Sequence, residues 1–194
     1  MKFLYYLIQW TWGLPMNIIG GIACLVCAIR KCPIQKYRNG VEILVNNNFG
    51  GLELGMFFIR GKDCPGVCPH EYGHGIQHLW WGPLFPFVIG LPSAARYWLR
   101  EQKTQQDKKK WITSLFCVIT LACLVVGGAG IGWCWALPII AFCAWCYGCI
   151  ICGWLRWIET PKYETNPPKY DDIWFEGQAT ALGNAANENK WSWL

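Results

Sequence analysis

Long segments without charged residues dominate the pattern along the chain and predict membrane-spanning helices. Residues 3–29 carry no charge, and this run exceeds the ~20 apolar residues that cross a bilayer as a helix. The run is too long for the core of a signal peptide and lacks a small-residue cleavage site, so we predict a retained span over 3–29. A second charge-free block is interrupted by glycines near its middle, which predicts two further spans over 111–132 and 133–157.

A shorter apolar stretch, 79–99, decides the predicted path through the membrane. It is interrupted by Gly82, Pro83, Pro86, Gly90 and Pro92. A complete crossing here would place the basic residues of 30–62 and of 96–110 on opposite sides, against the positive-inside rule. We therefore predict a partial or re-entrant insertion over 79–99, with the amino terminus outside and every basic residue except Lys2 on the cytoplasmic side.

The stretch 37–60 follows a strand-like pattern instead. Residues 41–45 and 52–59 look like two strands on either side of an Asn- and Gly-rich turn, which predicts a β-hairpin. Such a hairpin either offers an edge strand to an extended peptide or only packs against its neighbours. The predicted fold class is mostly α, with polytopic membrane helices (about three full spans plus a proline-broken partial insertion) and a small β-hairpin. We expect all of it to form a single membrane-embedded domain, 1–194.

Composition agrees with this class. Hydrophobic residues make up 54% of the 194 residues and include 14 Trp, which is typical of membrane proteins rather than soluble domains. The lipid bilayer is therefore an expected partner. Nucleic acid is not, because the basic run Lys108–Lys110 lies beside Trp111 and is typical of an anchor at anionic lipid. The sequence does not indicate an oligomeric state.

The candidate chemistry lies between the predicted hairpin and the broken stretch. All three histidines fall within 70–78, and His70, Glu71 and His74 complete an H-E-x-x-H motif. On a helix predicted over 68–81, residues four apart lie on one face, so both imidazoles can bind one Zn²⁺. In zinc hydrolases with this motif the glutamate acts as general base on a zinc-bound water. The alternative is a helix that carries these residues as ordinary polar groups.

A catalytic zinc usually has three protein ligands, so a third must be found. His78 is a poor candidate because it lies about 12 Å along the helix from His70. The third-ligand position of metzincins is occupied by Trp80. We favour Glu176, which opens a predicted helix in the polar tail, 159–194. Its alternative role is that of a solvated acid at a helix start. The other acids of the tail that we considered are Glu159, Glu164, Asp171, Asp172 and Glu188.

Several segments resemble a group of small bacterial membrane proteins that carry an H-E-Y-G-H-x-x-Q segment and a distal Glu-containing segment ending in Leu-Gly. The matching segments are 50–55, 70–77, 82–84, 90–93 and 174–183. The resemblance implies a gluzincin-like zinc metallopeptidase of the bacterial inner membrane, with His70, His74 and Glu176 as metal ligands and Glu71 as base. The chain departs from the gluzincin pattern at Thr180, where an acid often supports a ligand histidine.

Two functions follow from these observations. The first is a zinc-dependent membrane metallopeptidase, with its site on the cytoplasmic side, that hydrolyses a peptide or membrane-protein substrate. The second is a non-catalytic membrane protein whose histidine cluster binds or senses a metal. Hydrolysis requires the carboxylate of Glu71, whereas metal binding by the histidines does not.

The twelve cysteines suggest a rival metal chemistry. Four of them recur every three residues at 143–152, but this spacing winds around a helix and does not converge on one ion. Small, buried residues of a membrane helix explain them equally well. Cys64 and Cys68, just before the motif, either ligate a metal or remain free thiols, since a cytoplasmic location disfavours a disulfide.

Overall fold

The computed structural model describes residues 2–46, 49–102, 104–131, 134–160 and 168–188. The described chain is mostly helical with one small mixed sheet. It divides into two compact units, one formed by Met1–Leu91 with Lys169–Leu194 and the other by Pro92–Pro168. The helices are α1 Lys2–Trp10, α2 Leu14–Ile29, α3 Cys68–Trp81, α4 Leu91–Arg100, α5 Gln105–Gly130, α6 Ala136–Glu159 and α7 Trp174–Asn187.

The first predicted span is two helices. α1 and α2 meet at 90°, with a break of three residues at Thr11–Gly13. Buried side chains hold this bend, because the Asn17 Nδ2 donates to the backbone oxygen of Gln9 at 2.5 Å and to its Oε1 at 3.0 Å. The predicted span over 3–29 is therefore not one continuous helix, although the bent pair can still cross as one span. The absence of charged residues from 3–29 could not reveal the bend, since it continues unbroken through both helices.

The sheet contains four strands in the order β1-β2-β4-β3: β1 Ile34–Tyr37, β2 Gly40–Val45, β3 Gly51–Leu54 and β4 Phe57–Gly61. The predicted hairpin over 37–60 is wrong in its pairing, because β2 runs parallel to β4. The apolar run 52–59 is itself a hairpin of β3 and β4, turning at Gly55 with φ +81°. Only glycine fits there, since a Cβ would overlap the Asn17 Oδ1 that accepts from the Met56 amide.

A buried ion pair joins the sheet to α3. The Arg60 Nε on β4 donates to the Glu42 Oε1 on β2 at 2.5 Å, and the Cys68 thiol at the start of α3 donates to the same oxygen at 3.0 Å. Burial, reinforced by the hydrogen bond to Glu42, raises the pKa of Cys68 to about 11. The thiol therefore stays protonated and structural. All twelve cysteines lie in the described residues and are free of disulfides.

Helices α3 and α7 cross in backbone contact. A Cβ added to Gly73 on α3 would overlap the carbonyl of Ala179, and one added to Gly183 on α7 would overlap the carbonyl of Pro69. Glycine at both points therefore lets the two backbones approach more closely than any other residue would allow. This contact brings the start of α7, with Glu176, onto the histidine face of α3.

The second unit contains the two helices with the length and composition of membrane spans, α5 with 26 residues and α6 with 24. Leu99, Ile112 and Leu155 pack together in a buried hydrophobic cluster of this unit. A buried carboxylate joins three helices, since Glu159 accepts from Arg96 on α4 at 2.7 Å and from Lys108 on α5 at 3.3 Å. Compensating charges of this kind are required to bury ionised groups.

These helices identify a membrane protein with two candidate spans, or three if the bent pair α1–α2 crosses as one. α5 begins before the predicted 111, because Thr104 caps it by accepting from the Asp107 amide at 3.1 Å. It continues through Gly127 and Gly128 to Gly130, and α6 begins at Ala136. The stretch 79–99 is divided among short helical segments, including a π-helix at Pro86–Gly90. The partial or re-entrant insertion of 79–99 into the membrane stays a prediction. The single membrane-embedded domain over 1–194 also stays a prediction.

The crossing of α3 and α7 gives a test of the fold. We expect Gly183→Ala to lower the thermal unfolding midpoint of the detergent-solubilised protein, at a cost of about 1–3 kcal/mol, because the new methyl group must push the helices apart. Gly21→Ala on α2 is the matched control, since its Cβ would meet nothing within 4 Å. An unchanged midpoint for Gly183→Ala would contradict the close crossing.

Candidate metal centre

Two helices supply three converging ligand atoms. The Nε2 atoms of His70 and His74 lie 3.1 Å apart, and the Glu176 Oε2 lies 3.1 Å from the first and 3.3 Å from the second. Zinc–ligand bonds of 2.0–2.1 Å in a tetrahedron give ligand–ligand distances of about 3.3 Å. The three atoms therefore fit one face of a tetrahedral site, and this group can hold a metal ion.

The amide of Gln77 fixes the orientation of His74. Its Nε2 donates to the Phe175 carbonyl at 2.7 Å and to the Gln178 Oε1 at 2.9 Å, so its Oε1 is left facing the His74 Nδ1 at 2.8 Å. Since this oxygen only accepts, the Nδ1 of His74 carries the hydrogen and its Nε2 faces the other ligands. The final Gln of the H-E-Y-G-H-x-x-Q segment thus supports a ligand and ties α3 to α7.

The charges around His74 favour a cation at this position. Burial alone lowers the pKa of His74, but the hydrogen bond to Glu176 and the charge of Glu71 outweigh it and raise that pKa to about 9. Without a metal, the site therefore retains a proton between its nitrogen and carboxylate acceptors. A bound metal ion would replace that proton.

His70 is supported from α7 and from the segment before it. Its Nδ1 lies 2.9 Å from the Thr180 Oγ1, and this hydroxyl lies 3.1 Å from the Asp171 Oδ1. The ring of Tyr170 also contacts the imidazole, with centroids 5.8 Å apart. Thr180, the residue that departs from the gluzincin pattern, is therefore in direct contact with a candidate ligand histidine.

Glu71 is buried beside the ligands against the start of β3. A Cβ added to Gly51 would overlap its carboxylate, so the strand backbone lies directly over this group. Burial raises the pKa of Glu71, while the neighbouring charges of His74 and His70 act in the opposite direction. A carboxylate with a raised pKa, held beside a metal site, is suited to accept and return a proton.

A second buried carboxyl group, Glu53 on β3, was not singled out from the sequence. Burial raises its pKa well above the ordinary value, although the charge of His74 and the Gly55 amide oppose the shift. Its Oε1 accepts from that amide at 2.5 Å. Alternation along a short strand places Glu53 on one face but does not tell which face is buried, so the sequence held no signal for it.

His78 is used elsewhere, as its distance along the helix predicted. Its Nδ1 lies 3.1 Å from the Gln9 Oε1, within the polar group at the α1–α2 bend. Burial lowers the pKa of His78 to about 4, so the ring is neutral. This histidine therefore connects α3 to the bend and takes no part in the ligand group.

The other acids of the polar tail have separate positions. Glu159 pairs with basic residues of the second unit, and Asp172 accepts from the Lys169 amide at 2.7 Å. Glu188 follows the end of α7, and Glu164 lies outside the described residues. Within the part of the chain that is described, the ligand group found is His70, His74 and Glu176, and it contains no cysteine.

No protein-family model, curated protein or solved structure matches this chain. The resemblance to gluzincin-like bacterial membrane proteins thus stays a prediction, and function must be inferred from the site itself.

The geometry makes opposite predictions for two histidines of α3. We expect His74→Ala to abolish stoichiometric binding of Zn²⁺, because it removes one of three ligands. His78→Ala should retain one Zn²⁺ per chain and lower only the thermal midpoint, because it loosens the α1–α2 bend. Elemental mass spectrometry of metal-replete protein measures the first property. Loss of zinc from folded His78→Ala would contradict this assignment.

Proposed function

We propose that this protein is a zinc-dependent membrane metallopeptidase with Glu71 as its general base. One observation carries the proposal: the three predicted ligands meet within 3.3 Å of one another beside a buried glutamate of the same motif. Two imidazoles and one carboxylate form a donor set typical of catalytic zinc, which leaves a fourth position open. Zinc is preferred to magnesium or calcium because those ions favour oxygen ligands.

The proposed chemistry divides between the metal and Glu71. When bound, zinc supplies a Lewis acid that acidifies water and polarises a carbonyl group. The Glu71 carboxylate accepts the proton of the attacking water and then donates it to the amine that leaves when the peptide bond breaks. Its burial suits both steps, because a raised pKa lets the same group hold the proton between them.

We propose that the start of β3 aligns the substrate. β3 is an edge strand, and it reaches the carboxylate of Glu71 at Gly51. At its other end α2 covers the strand, since a Cβ on Gly20 would overlap the Leu54 carbonyl. The side chain of Leu52, beside Gly51, is 43% exposed. An extended peptide added at this end would therefore lie next to the base.

Exposed apolar residues around the end of α3 favour a substrate close to the membrane. Trp12 donates from its Nε1 to the carbonyl of Trp80 at 3.4 Å, and Trp81 contacts Trp174 with ring centroids 6.3 Å apart. Large exposed side chains surround these contacts: Trp12, Trp80, Leu84, Phe87 and Trp174. Exposed Trp is typical of the bilayer interface. We propose a peptide or membrane-protein segment at the interface as substrate.

The proposed location is the bacterial inner membrane with the site on the cytoplasmic side. Basic residues support this orientation, since all but Lys2 follow the first apolar segment and cytoplasmic loops are rich in Lys and Arg.

The alternative, a protein that binds or senses a metal without catalysis, is favoured by the burial of the ligands. Their side chains are 17% exposed for His70, 7% for His74 and 0% for Glu176. A metal held this deeply is reached most directly from the His70 side. The two functions differ in what Glu71 does, so a variant of this residue separates them.

Metal content and hydrolysis together test the proposal. Wild type should bind about one Zn²⁺ per chain, and His70→Ala and Glu176→Ala should bind none. Glu71→Gln should retain zinc but lose activity by roughly 10²–10⁴-fold, as expected for removal of a general base. The assay is cleavage of a quenched-fluorescent peptide library by protein in lipid vesicles, and Asp63→Ala, an exposed acid outside the group, is the control.

Each departure from this pattern has a distinct meaning. Wild type that binds no zinc after metal-replete purification would refute the metal centre. Zinc binding without Glu71-dependent cleavage would instead support the non-catalytic function.

The contact between β3 and Glu71 gives a separate test with adjacent residues. Gly51→Ala should displace the Glu71 carboxylate and lower activity by roughly 100-fold, the scale expected when a catalytic group moves by about 1 Å. Gly50→Ala is the matched control, because its Cβ would meet nothing within 4 Å. Both variants should bind zinc as wild type does. Equal activity of the two variants would contradict a role for this contact.

A further inference from the structure

We infer that Thr180 and Asp171 are positioning residues that act in series on His70, with the hydroxyl as the link between the carboxylate and the imidazole. The inference rests on the proposed metal centre and adds to it the way in which one ligand is oriented. A ligand histidine usually donates its second ring nitrogen to a carboxylate, a carbonyl or water. Here the carboxylate is reached through a hydroxyl.

The direction of each hydrogen bond follows from the groups present. A carboxylate only accepts, so the Thr180 hydroxyl donates its single hydrogen to the Asp171 Oδ1 at 3.1 Å. The hydroxyl oxygen can then only accept from the His70 Nδ1, 2.9 Å away. The Nδ1 therefore carries the hydrogen, and the Nε2 directs its lone pair at the ligand group.

The local backbone keeps both residues in place. Thr180 lies four residues after Glu176, so one face of α7 presents both a ligand and the support of another ligand. Asp171 belongs to a short 3₁₀-helix, Tyr170–Asp172, which packs on the start of α7. A Cβ on Gly177 would overlap the Asp171 carbonyl. Glycine at this position thus lets the carboxylate approach Thr180.

The close helix crossing explains why a short side chain occupies position 180. The neighbouring residue, Ala179, touches Gly73 of α3 through its backbone. Thr180 is therefore held near His70, and its hydroxyl oxygen lies within hydrogen-bond distance of the His70 Nδ1. The two ligand histidines consequently differ in support, because His74 is oriented by the neutral amide of Gln77 and His70 is linked to a negative charge.

The test uses the affinity for Zn²⁺, measured by competition with a chelator on detergent-purified full-length protein. Thr180→Val keeps the shape and removes the hydroxyl, so we expect binding weaker by roughly 10–100-fold. Asp171→Asn should also weaken Zn²⁺ binding, and Thr180→Ser should bind Zn²⁺ as tightly as wild type does. Asp172→Asn, in the same short helix, is the matched control and should change nothing.

The double variant decides whether the two residues act in series. If the charge of Asp171 reaches His70 through the hydroxyl, Asp171→Asn should cause no further loss once Thr180 is Val. Losses that multiply would overturn the series arrangement, and wild-type affinity in folded Thr180→Val would overturn the inference altogether. Thermal unfolding of each variant shows that it is folded.

A second measurement separates this inference from the proposed function. The chain has only three histidines, so ¹⁵N-histidine labelling and NMR of the metal-free protein at pH 8.5 can report the tautomer of the His70 ring, with His70→Ala for assignment. We expect a hydrogen on the His70 Nδ1 in wild type and a mixture of tautomers in Thr180→Val. If wild type binds no zinc but the His70 tautomer still differs between wild type and Thr180→Val, the metal centre is refuted and the positioning pair is supported. If the His70 tautomer is the same in both proteins, the positioning pair is refuted.

Discussion

The backbone contact between α3 and α7 is the constraint on which the candidate site depends. The helices are far apart in the sequence, and α3 alone supplies two candidate ligands and Glu71, the proposed base. Gly73 and Gly183 allow the approach, and Glu176 then reaches both imidazoles. Gln77 adds a second tie, because its amide joins His74 to the Phe175 carbonyl. The same contact thus closes the ligand group and fixes the rings within it.

Burial gives this convergence its chemical meaning. Three atoms with lone pairs face one another, and the Glu176 side chain is fully buried. Burying a carboxylate costs free energy unless a positive charge or hydrogen bonds compensate for it. A proton on His74 provides this charge in the metal-free state, which is why the pKa of His74 is raised to about 9. A divalent ion can provide the same compensation, so the folded group is able to hold a metal ion.

Local patterns in the sequence indicated the ligands, whereas long-range contacts determined much of the fold. The i, i+4 spacing of His70 and His74 depends only on helix geometry, and the start of a predicted helix in the polar tail suggested Glu176. The pairing of β2 with β4 could not be predicted in this way, because an apolar run does not distinguish one strand from two joined at Gly55. The α1–α2 bend depends on Asn17 and on its partners in distant segments.

The fate of His78 shows how these two kinds of information combine. Its distance along α3 excluded it from the ligand group, but only the fold shows why a histidine is there. It contacts Gln9, which also accepts from Asn17, and Asn17 in turn accepts from the Met56 amide at the β3–β4 turn. One hydrogen-bonded chain therefore links the bend, the sheet and α3. The β3 backbone lies over Glu71 at Gly51, so the position of the Glu71 carboxylate depends on this buried polar group as well as on α3.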